Sequence, residues 1–330
     1  MAEVDVAIVA YRGWDLTSSC LEHLRRQTVA HRVTVCDNGC DQQTAGRVRE
    51  RYPEATVLRM ERNMPYAVAC NAAVAAGDAE LVVMMNNDVD ARPDFLERLV
   101  APFSTRPRLG SVAALLLRPG EREVDSAGLV ADSTLAGFPR FHGRPPAEVR
   151  DGGVELTGPA GAAAAFRRAA WAQVGGLDES IFAYLEDLDL ALRLRAAGWE
   201  TALALDALAV HVGSATLGHR SFEQRRKSGH ARAYLLRRYG VLRSRRAPRA
   251  LATEALVVAG DLLLWRDGAA LSGRLAGWRA AKHSAPAAPP PPGALDGRIS
   301  FLDSLRLRRG IYMRPASRRG LRRQLRPAST

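Results

Sequence analysis

The chain is short of several things, and each shortage excludes something. It has four cysteines in 330 residues, Cys20, Cys36, Cys40 and Cys70, all in the first quarter. A disulfide framework needs a denser and more dispersed set, and Cys36 and Cys40 lack the second Cys or His pair of a zinc site. The thiols therefore read as reduced and buried. No apolar run is long enough to span a bilayer; the best, Leu256 to Trp265, is short and broken by Asp261. The start, Met1-Ala2-Glu3-Val4-Asp5, lacks the basic residues and long apolar stretch of a secretory leader. A cytoplasmic chain is expected. There is no Walker-type glycine loop and no Ser-His-Asp order with elbow glycines, so the usual signatures of those chemistries are missing.

Acidic residues are scarce in one region only. Residues 220–330 hold 25 Lys and Arg against 6 Asp and Glu, whereas residues 1–219 hold 22 against 29. The net charge of +12 therefore belongs to the C-terminal third. Such a block suits an anionic membrane surface, a nucleic acid or an acidic polymer, or is a solvated arginine-rich helix. Nucleic acid is disfavoured, because the tail has no regularly interleaved aromatics. Pro286 to Pro292 reads as a linker. Beyond it, residues 295–330 carry ten arginines and two aspartates, a composition expected to fold only on binding. Three parts are expected: 1–218 as the main domain, 219–285 as a basic helical region, and 286–330 as linker and tail.

What is present is strand–helix alternation. Val4 to Tyr11 is β-branched and apolar; Leu16 to Gln27 has helical spacing; Arg32 to Cys36 is a second strand. A helix from about Gln43, a strand near Thr56, an Ala-rich helix from Pro65 and a strand over Leu81 to Met85 follow. Later, Asp187 to Ala197 is an amphipathic helix stopped by Gly198, and Thr201 to Val212 is a strand. This order predicts an α/β fold with a mostly parallel sheet between helices. In such sheets ligands bind at the carboxyl ends of strands. Tyr11, Arg12, Asp37, Asn63 and the group from Asn86 through Asn87 to Asp90 fall there.

The phrase Met84-Met85-Asn86-Asn87-Asp88-Val89-Asp90 is the most pointed. An extended Asp-x-Asp can turn both carboxylates to one face, and two close carboxylates call for a cation or a proton between them. Mg²⁺ or Mn²⁺ suits that need and leaves positions for phosphate oxygens. His211, ending a later strand, could complete the shell. Glu186-Asp187 starts a helix, where the dipole stabilises the anion, so a base there needs compensating burial.

Taken in order, AIVAYRG, VTVCDNG, Asn63-x₇-Asn71, LVVMMNNDVDARPDFL, TGPAGAAAAFRR, VGGLDESIFAYLEDLDLALRLRAAGW and HVGS resemble the family 2 inverting glycosyltransferases of the GT-A fold. The likeness covers roughly residues 4–215 and is strongest to a bacterial rhamnosyltransferase-like subset. It implies a Rossmann-like sheet with a basic helical extension. It implies that Ala10, Tyr11 and Arg12 line the nucleotide, with Asn63, Asn71 and Asn87 on the same side. Asp37 would meet the pyrimidine base of a UDP- or dTDP-sugar. Asp88 and Asp90, with His211, would hold a divalent metal on the diphosphate. Asp187 would be the general base, with Glu186 beside it. The acceptor would be a hydroxyl of a lipid-linked saccharide, a polymer or a small metabolite, and the basic end would touch the membrane surface. Two departures stand out: Met64-Pro65-Tyr66-Ala67 replaces a Gly-rich phrase, and Cys40-Asp41-Gln42-Gln43 replaces the family's usual run. Nucleotidyl transfer, an inactive scaffold and a nucleic-acid-binding role are the competing readings.

Overall fold

The structure, a computed structural model, describes residues 4–39, 42–149, 155–213 and 221–312. It opens with β1 (Val4–Ala10), α1 (Trp14–Arg25), β2 (His31–Asp37), α2 (Gln42–Arg51), β3 (Thr56–Arg59), α3 (Tyr66–Ala75) and β4 (Leu81–Asn86). A tight turn leads into β5 (Val89–Ala91), then α4 (Phe95–Val100) and β6 (Leu109–Leu117). Three short strands follow, β7 (Val124–Ser126), β8 (Leu129–Ala131) and β9 (Gly137–Pro139). Next come β10 (Ala163–Arg167), α5 (Arg168–Val174), α6 (Glu186–Ala196) and β11 (Glu200–His211). The basic third supplies α7 (Phe222–Arg238), α8 (Ala247–Trp265), α9 (Ala269–Ala280) and α10 (Phe301–Tyr312).

Nine strands form one sheet in the order β3-β2-β1-β4-β10-β6-β11-β5, with β7 added beside β6. The strands β3, β2, β1 and β4 are parallel, as are β6 and β11. The alternating side chains of β1 explain its two faces. Val4, Val6, Ile8 and Ala10 join one core layer, while Ala7 and Val9 join the other. The one charge in that strand, Asp5, is buried but satisfied: it accepts from the Ala79 N–H (2.8 Å), Arg168 (2.6 Å) and Arg32 (2.9 Å). Between the parallel halves lies β10, antiparallel to both β4 and β6. Its small residues carry little period, so the sequence pattern shows only an apolar stretch there.

The basic third is packed onto the rest. One core cluster joins Leu129, Leu188 and Leu192 to Ala231, Tyr234, Leu235, Ala250 and Ala294. Helices α7 and α9 approach so closely that a side chain at Gly273 or Gly277 would collide with the Arg226 or His230 carbonyl. Small residues four apart make that approach sterically feasible. The expectation for the tail fails over its first part. Residues 301–312 form α10, the Asp296 N–H bonds to the Ala131 carbonyl (2.8 Å), and Thr157 Oγ1 donates to the Ala294 carbonyl (2.8 Å). Ser304 is fully buried. Residues 313–330 lie outside the described residues.

Candidate active site

The carboxyl ends of β1, β2, β4 and β11 form one edge, and most of the expected site residues gather there. Asp37 ends β2 almost fully buried, and its Oδ1 accepts the Gly39 N–H at 3.1 Å. Beside it, the Asn38 amide clasps the Met64 backbone, donating to its carbonyl (3.0 Å) and accepting from its N–H (2.9 Å). That clasp fixes the loop holding half-buried Asn63. Pro65 sits in extended geometry (φ −49, ψ 142) immediately before α3, a position that tolerates proline. Arg12 is exposed in the left-handed region (φ 62), with its guanidinium 5.2 Å from the centre of the Tyr11 ring.

Three of the residues expected on the nucleotide side are engaged elsewhere. Ala10 is fully buried in the core, and its carbonyl accepts the Asn38 N–H (2.8 Å). Asn71 uses its whole amide as a staple: it donates to the Leu177 carbonyl (2.9 Å) and Glu179 (3.0 Å), and accepts from the Leu177 N–H (3.0 Å). This ties α3 to the turn that leads to α6. Asn87 donates to Thr17 Oγ1 (2.9 Å) and to the Arg12 carbonyl (3.3 Å), pinning the turn after β4 to the start of α1. Asn71 thus has every polar atom of its amide engaged, and Asn87 has both of its N–H groups engaged.

The two aspartates of the Asp-x-Asp phrase part company. Asp88 sits in the turn between β4 and β5, and its Oδ1 lies 3.3 Å from His211 Nε2. Asp90 lies within β5, where it accepts from Ser19 Oγ at 2.8 Å and lies 3.4 Å from His23 Nδ1. The turn at 87–88 breaks the extended geometry on which a shared face depended. Asp90 is therefore turned towards α1, while Asp88 faces His211. A residue not singled out in the sequence takes the vacant part. Asp125 of β7 places Oδ2 2.8 Å from His211 Nδ1. It lies in a stretch of short strands with no recognisable motif, so only the fold reveals it. Burial opposes a charge on His211, but hydrogen bonds to Asp125 and Asp88 outweigh that and push its pKa up to about 10. The ring orientation is thus set from behind by Asp125, and a metal bound at Nε2 would displace the proton that faces Asp88.

A carboxylate oxygen and an imidazole nitrogen side by side fit a divalent ion such as Mn²⁺ or Mg²⁺, with phosphate oxygens and water taking further positions. Among the described residues, no group of three or more His, Cys, Asp or Glu side chains forms a metal site by itself. Most of the coordination would therefore come from substrate.

Opposite this edge, Glu186 and Asp187 begin α6. They are preceded by Tyr184 and Leu185, both left-handed (φ 70 and 61), a costly pair of conformations for side-chain-bearing residues. Asp187 accepts the Gly161 N–H (2.8 Å) through Oδ2 and the Leu188 N–H (2.8 Å) through Oδ1. Gly161 is followed by Ala162, whose carbonyl accepts the Asn86 N–H (2.8 Å). One dipeptide thus separates the Asp187 carboxylate from the end of β4. Crowding by protein raises the Asp187 pKa despite these backbone N–H groups, although part of its surface stays open to solvent. Glu186 is buried, its Oε2 has no hydrogen-bond partner, and burial plus the Asp187 charge push its pKa to about 8. Both carboxyls thus hold a proton more tightly than free ones, Glu186 partly through the charge of Asp187, and the two titrate as a pair.

A profile described as "Glycosyltransferase like family 2" matches residues 2–232. The N-acetylglucosaminyl-diphospho-decaprenol L-rhamnosyltransferase of Mycobacterium tuberculosis is 32% identical over 209 residues, 57% of this chain and 66% of that protein. An O-antigen biosynthesis protein of Myxococcus xanthus is 31% identical over 172 residues, half of this chain and 13% of that protein. Among solved structures, a mannosyltransferase from Pyrobaculum calidifontis, in complex with GDP-Man and Mn²⁺, aligns with a TM-score of 0.51 at 19% identity, over 84% of this chain and 85% of that one. GalNAc-T7 with UDP, GalNAc and Mn²⁺ aligns at 0.53 and 12% identity, over 75% and 53%. These two bear on the fold alone. The strand order, the carboxylate pair and the profile agree: this chain belongs to the family 2-like glycosyltransferases and has the GT-A fold.

Proposed function

We propose that the chain is an inverting, divalent-metal-dependent glycosyltransferase that moves a sugar from a UDP- or dTDP-sugar to a hydroxyl of a lipid-linked saccharide. The observation carrying this reading is the placement of Asp187 one dipeptide away from the strand edge that bears Asp88, His211 and Asp37. Departure of a sugar from a nucleoside diphosphate needs positive charge at the leaving phosphates and a base at the incoming hydroxyl, on opposite sides of the anomeric carbon. Asp88 and His211 would hold the metal, which supplies charge stabilisation to the diphosphate when bound. Asp37 would accept from the pyrimidine N–H, a contact that serves uracil and thymine alike. Asp187 would take the acceptor proton. Neutral Glu186 keeps a second negative charge away from the incoming oxygen. A single displacement inverts the anomeric centre and needs no protein nucleophile.

Rhamnose is the favoured sugar and a polyprenyl-linked saccharide the favoured acceptor, on the strength of the mycobacterial relative's name. The basic third supports a membrane-surface location in the cell interior. On α8 and α9, Leu263 is 79% exposed and Leu264 58%, with Trp265, Leu275 and Trp278 also open to solvent. Arg225 and Arg237 lie over the two tryptophans. Apolar residues and aromatics among arginines suit the interface of an anionic bilayer. Among the described residues, no helix is long and apolar enough to cross a membrane.

The test is thermal-shift binding of UDP and dTDP with and without Mn²⁺, followed by transfer assays on Asp187→Asn. Nucleotide stabilisation that requires the metal, together with loss of turnover but not of binding in the variant, is expected. Full transfer by Asp187→Asn would remove the base assignment.

A further inference from the structure

A second concavity lies outside the strand edge, between β9, α7, α8, α9 and α10. Its volume is about 310 Å³, and Phe138, Leu185, Leu256, Val257, Leu264 and Trp265 contribute to its walls. The charged residues around it are already answered within the protein. Arg232 and Arg274 both bind Glu254 (2.8 and 2.7 Å), and Arg225 binds Asp261 (2.8 Å) and Asp267 (2.6 Å). Arg232 and Arg274, with Arg308 nearby, lower the pKa of the Glu254 carboxyl to about 2 although it is buried. What the cleft offers a ligand is therefore mainly hydrocarbon wall.

Its position says what kind of hydrocarbon. Tyr184 and Leu185 line it, and the next two residues are Glu186 and Asp187. On its other side, Leu256, Leu264 and Trp265 belong both to the cleft and to the exposed apolar ridge of α8. The cleft therefore runs from the exposed apolar ridge of α8 to the residues that precede Glu186 and Asp187. A molecule with an apolar chain and a polar head, entering from the ridge, would leave its head group near Tyr184 and Leu185, the residues that lead into Glu186 and Asp187. We propose that this cleft binds the hydrocarbon chain of an amphiphilic acceptor, of the polyprenyl diphosphate class, and so sets which acceptor hydroxyl reaches the base. The inference rests on the transferase reading above.

Gly260 gives the means of testing it. It lines the cleft within α8, and a side chain added there meets no heavy atom within 4 Å at its first carbon. Leucine also favours a helix over glycine, so Gly260→Leu fills the cleft without opposing the fold. Val257→Trp is a second, independent filler. Binding of farnesyl diphosphate and of inorganic diphosphate is measured by calorimetry on the full-length wild type and both variants, with UDP or dTDP plus Mn²⁺ as the parallel ligand. The wild type is expected to bind farnesyl diphosphate at least tenfold more tightly than diphosphate. Both fillers should erase that preference and leave the nucleotide response unchanged. Equal binding of the two probes by the wild type, or an undiminished preference in both fillers, overturns the proposal while leaving the transferase reading standing. Loss of the wild-type nucleotide response would instead strike the transferase reading itself. If Leu321→Ser with Leu325→Ser raised farnesyl diphosphate affinity tenfold, the occupant would be the chain's own tail and the acceptor proposal would fall.

Discussion

Glu186 makes the stability of this protein depend on pH in an unusual direction. Its pKa rises from 4.5 to about 8 because the carboxyl is buried, lacks a partner at Oε2 and stands beside Asp187. The folded protein therefore keeps a proton that the unfolded chain releases. Stability is fully present below the unfolded pKa and falls as pH rises towards the folded one. The slope for one proton is about 1.4 kcal/mol per pH unit. From about pH 5 to about pH 7 the loss approaches ~3 kcal/mol as an upper bound, and relaxation around the buried group brings it to roughly 1–2 kcal/mol. Glu186→Gln preserves shape and cannot ionise. Urea unfolding of both proteins at a series of pH values reads the difference in slope directly, provided the urea dependence is the same in each. The wild type should lose stability across this window while the variant stays closer to level. The absolute stability of the variant is less informative, because the new amide must find partners. Parallel slopes would mean that Glu186 is ionised in the folded protein, and the proton-sharing account of Asp187 would be wrong.

Asp125→Asn should weaken Mn²⁺ binding by about 10-fold or more, since ring support behind a ligating histidine is worth that much; titration of the metal in the presence of UDP measures it, and unchanged affinity would reduce Asp125 to a structural role. Asp90→Ala should keep metal-dependent nucleotide binding and lose roughly 1 kcal/mol through Ser19, whereas Asp88→Asn should lose the metal dependence with the fold intact; the opposite pattern in a thermal-shift comparison would restore Asp90 as the ligand. Gly273→Ala should lower the unfolding midpoint by an amount corresponding to about 1–3 kcal/mol, because α7 and α9 must move apart; an unaltered midpoint would show that the helices are not locked together.

The first half of the fold was legible because its strands are β-branched, its helices are amphipathic and its turns are short. Asp37, Asp88, Glu186, Asp187 and His211 stand out in the sequence for a related reason: each lies at the boundary of a periodic segment, where an ionisable residue breaks the apolar pattern. The asparagines were harder. Asn71 and Asn87 look like ligand contacts in a linear phrase, yet their amides are consumed by Leu177, Glu179, Arg12 and Thr17, partners far away in sequence. Asp90 misled because alternation holds in a strand but not through the turn at residue 88. Asp125 was invisible, since its meaning comes only from β7 lying beside β6 and bringing it to His211. The helix α10 was missed because it lies within an arginine-rich, proline-flanked stretch, and among its described side chains the buried one is Ser304.

The shared core around α6 has a consequence for how the chain comes off the ribosome. Strands β1 to β4 and their helices complete most of their mutual contacts within the first 86 residues and can pair early in synthesis. Leu188 and Leu192, on the helix that begins with the base, pack against Tyr234, Leu235, Ala250 and Ala294. Those residues emerge some 40 to 100 positions later, which at ordinary elongation rates is a delay of several seconds or more. A nascent or prematurely ended chain would hold a formed first half of the sheet next to an unanchored α6. The residues from Tyr234 to Ala294 thus complete the anchoring of α6, and a stop codon before Ala294 would cost stability and activity out of proportion to the length it removes.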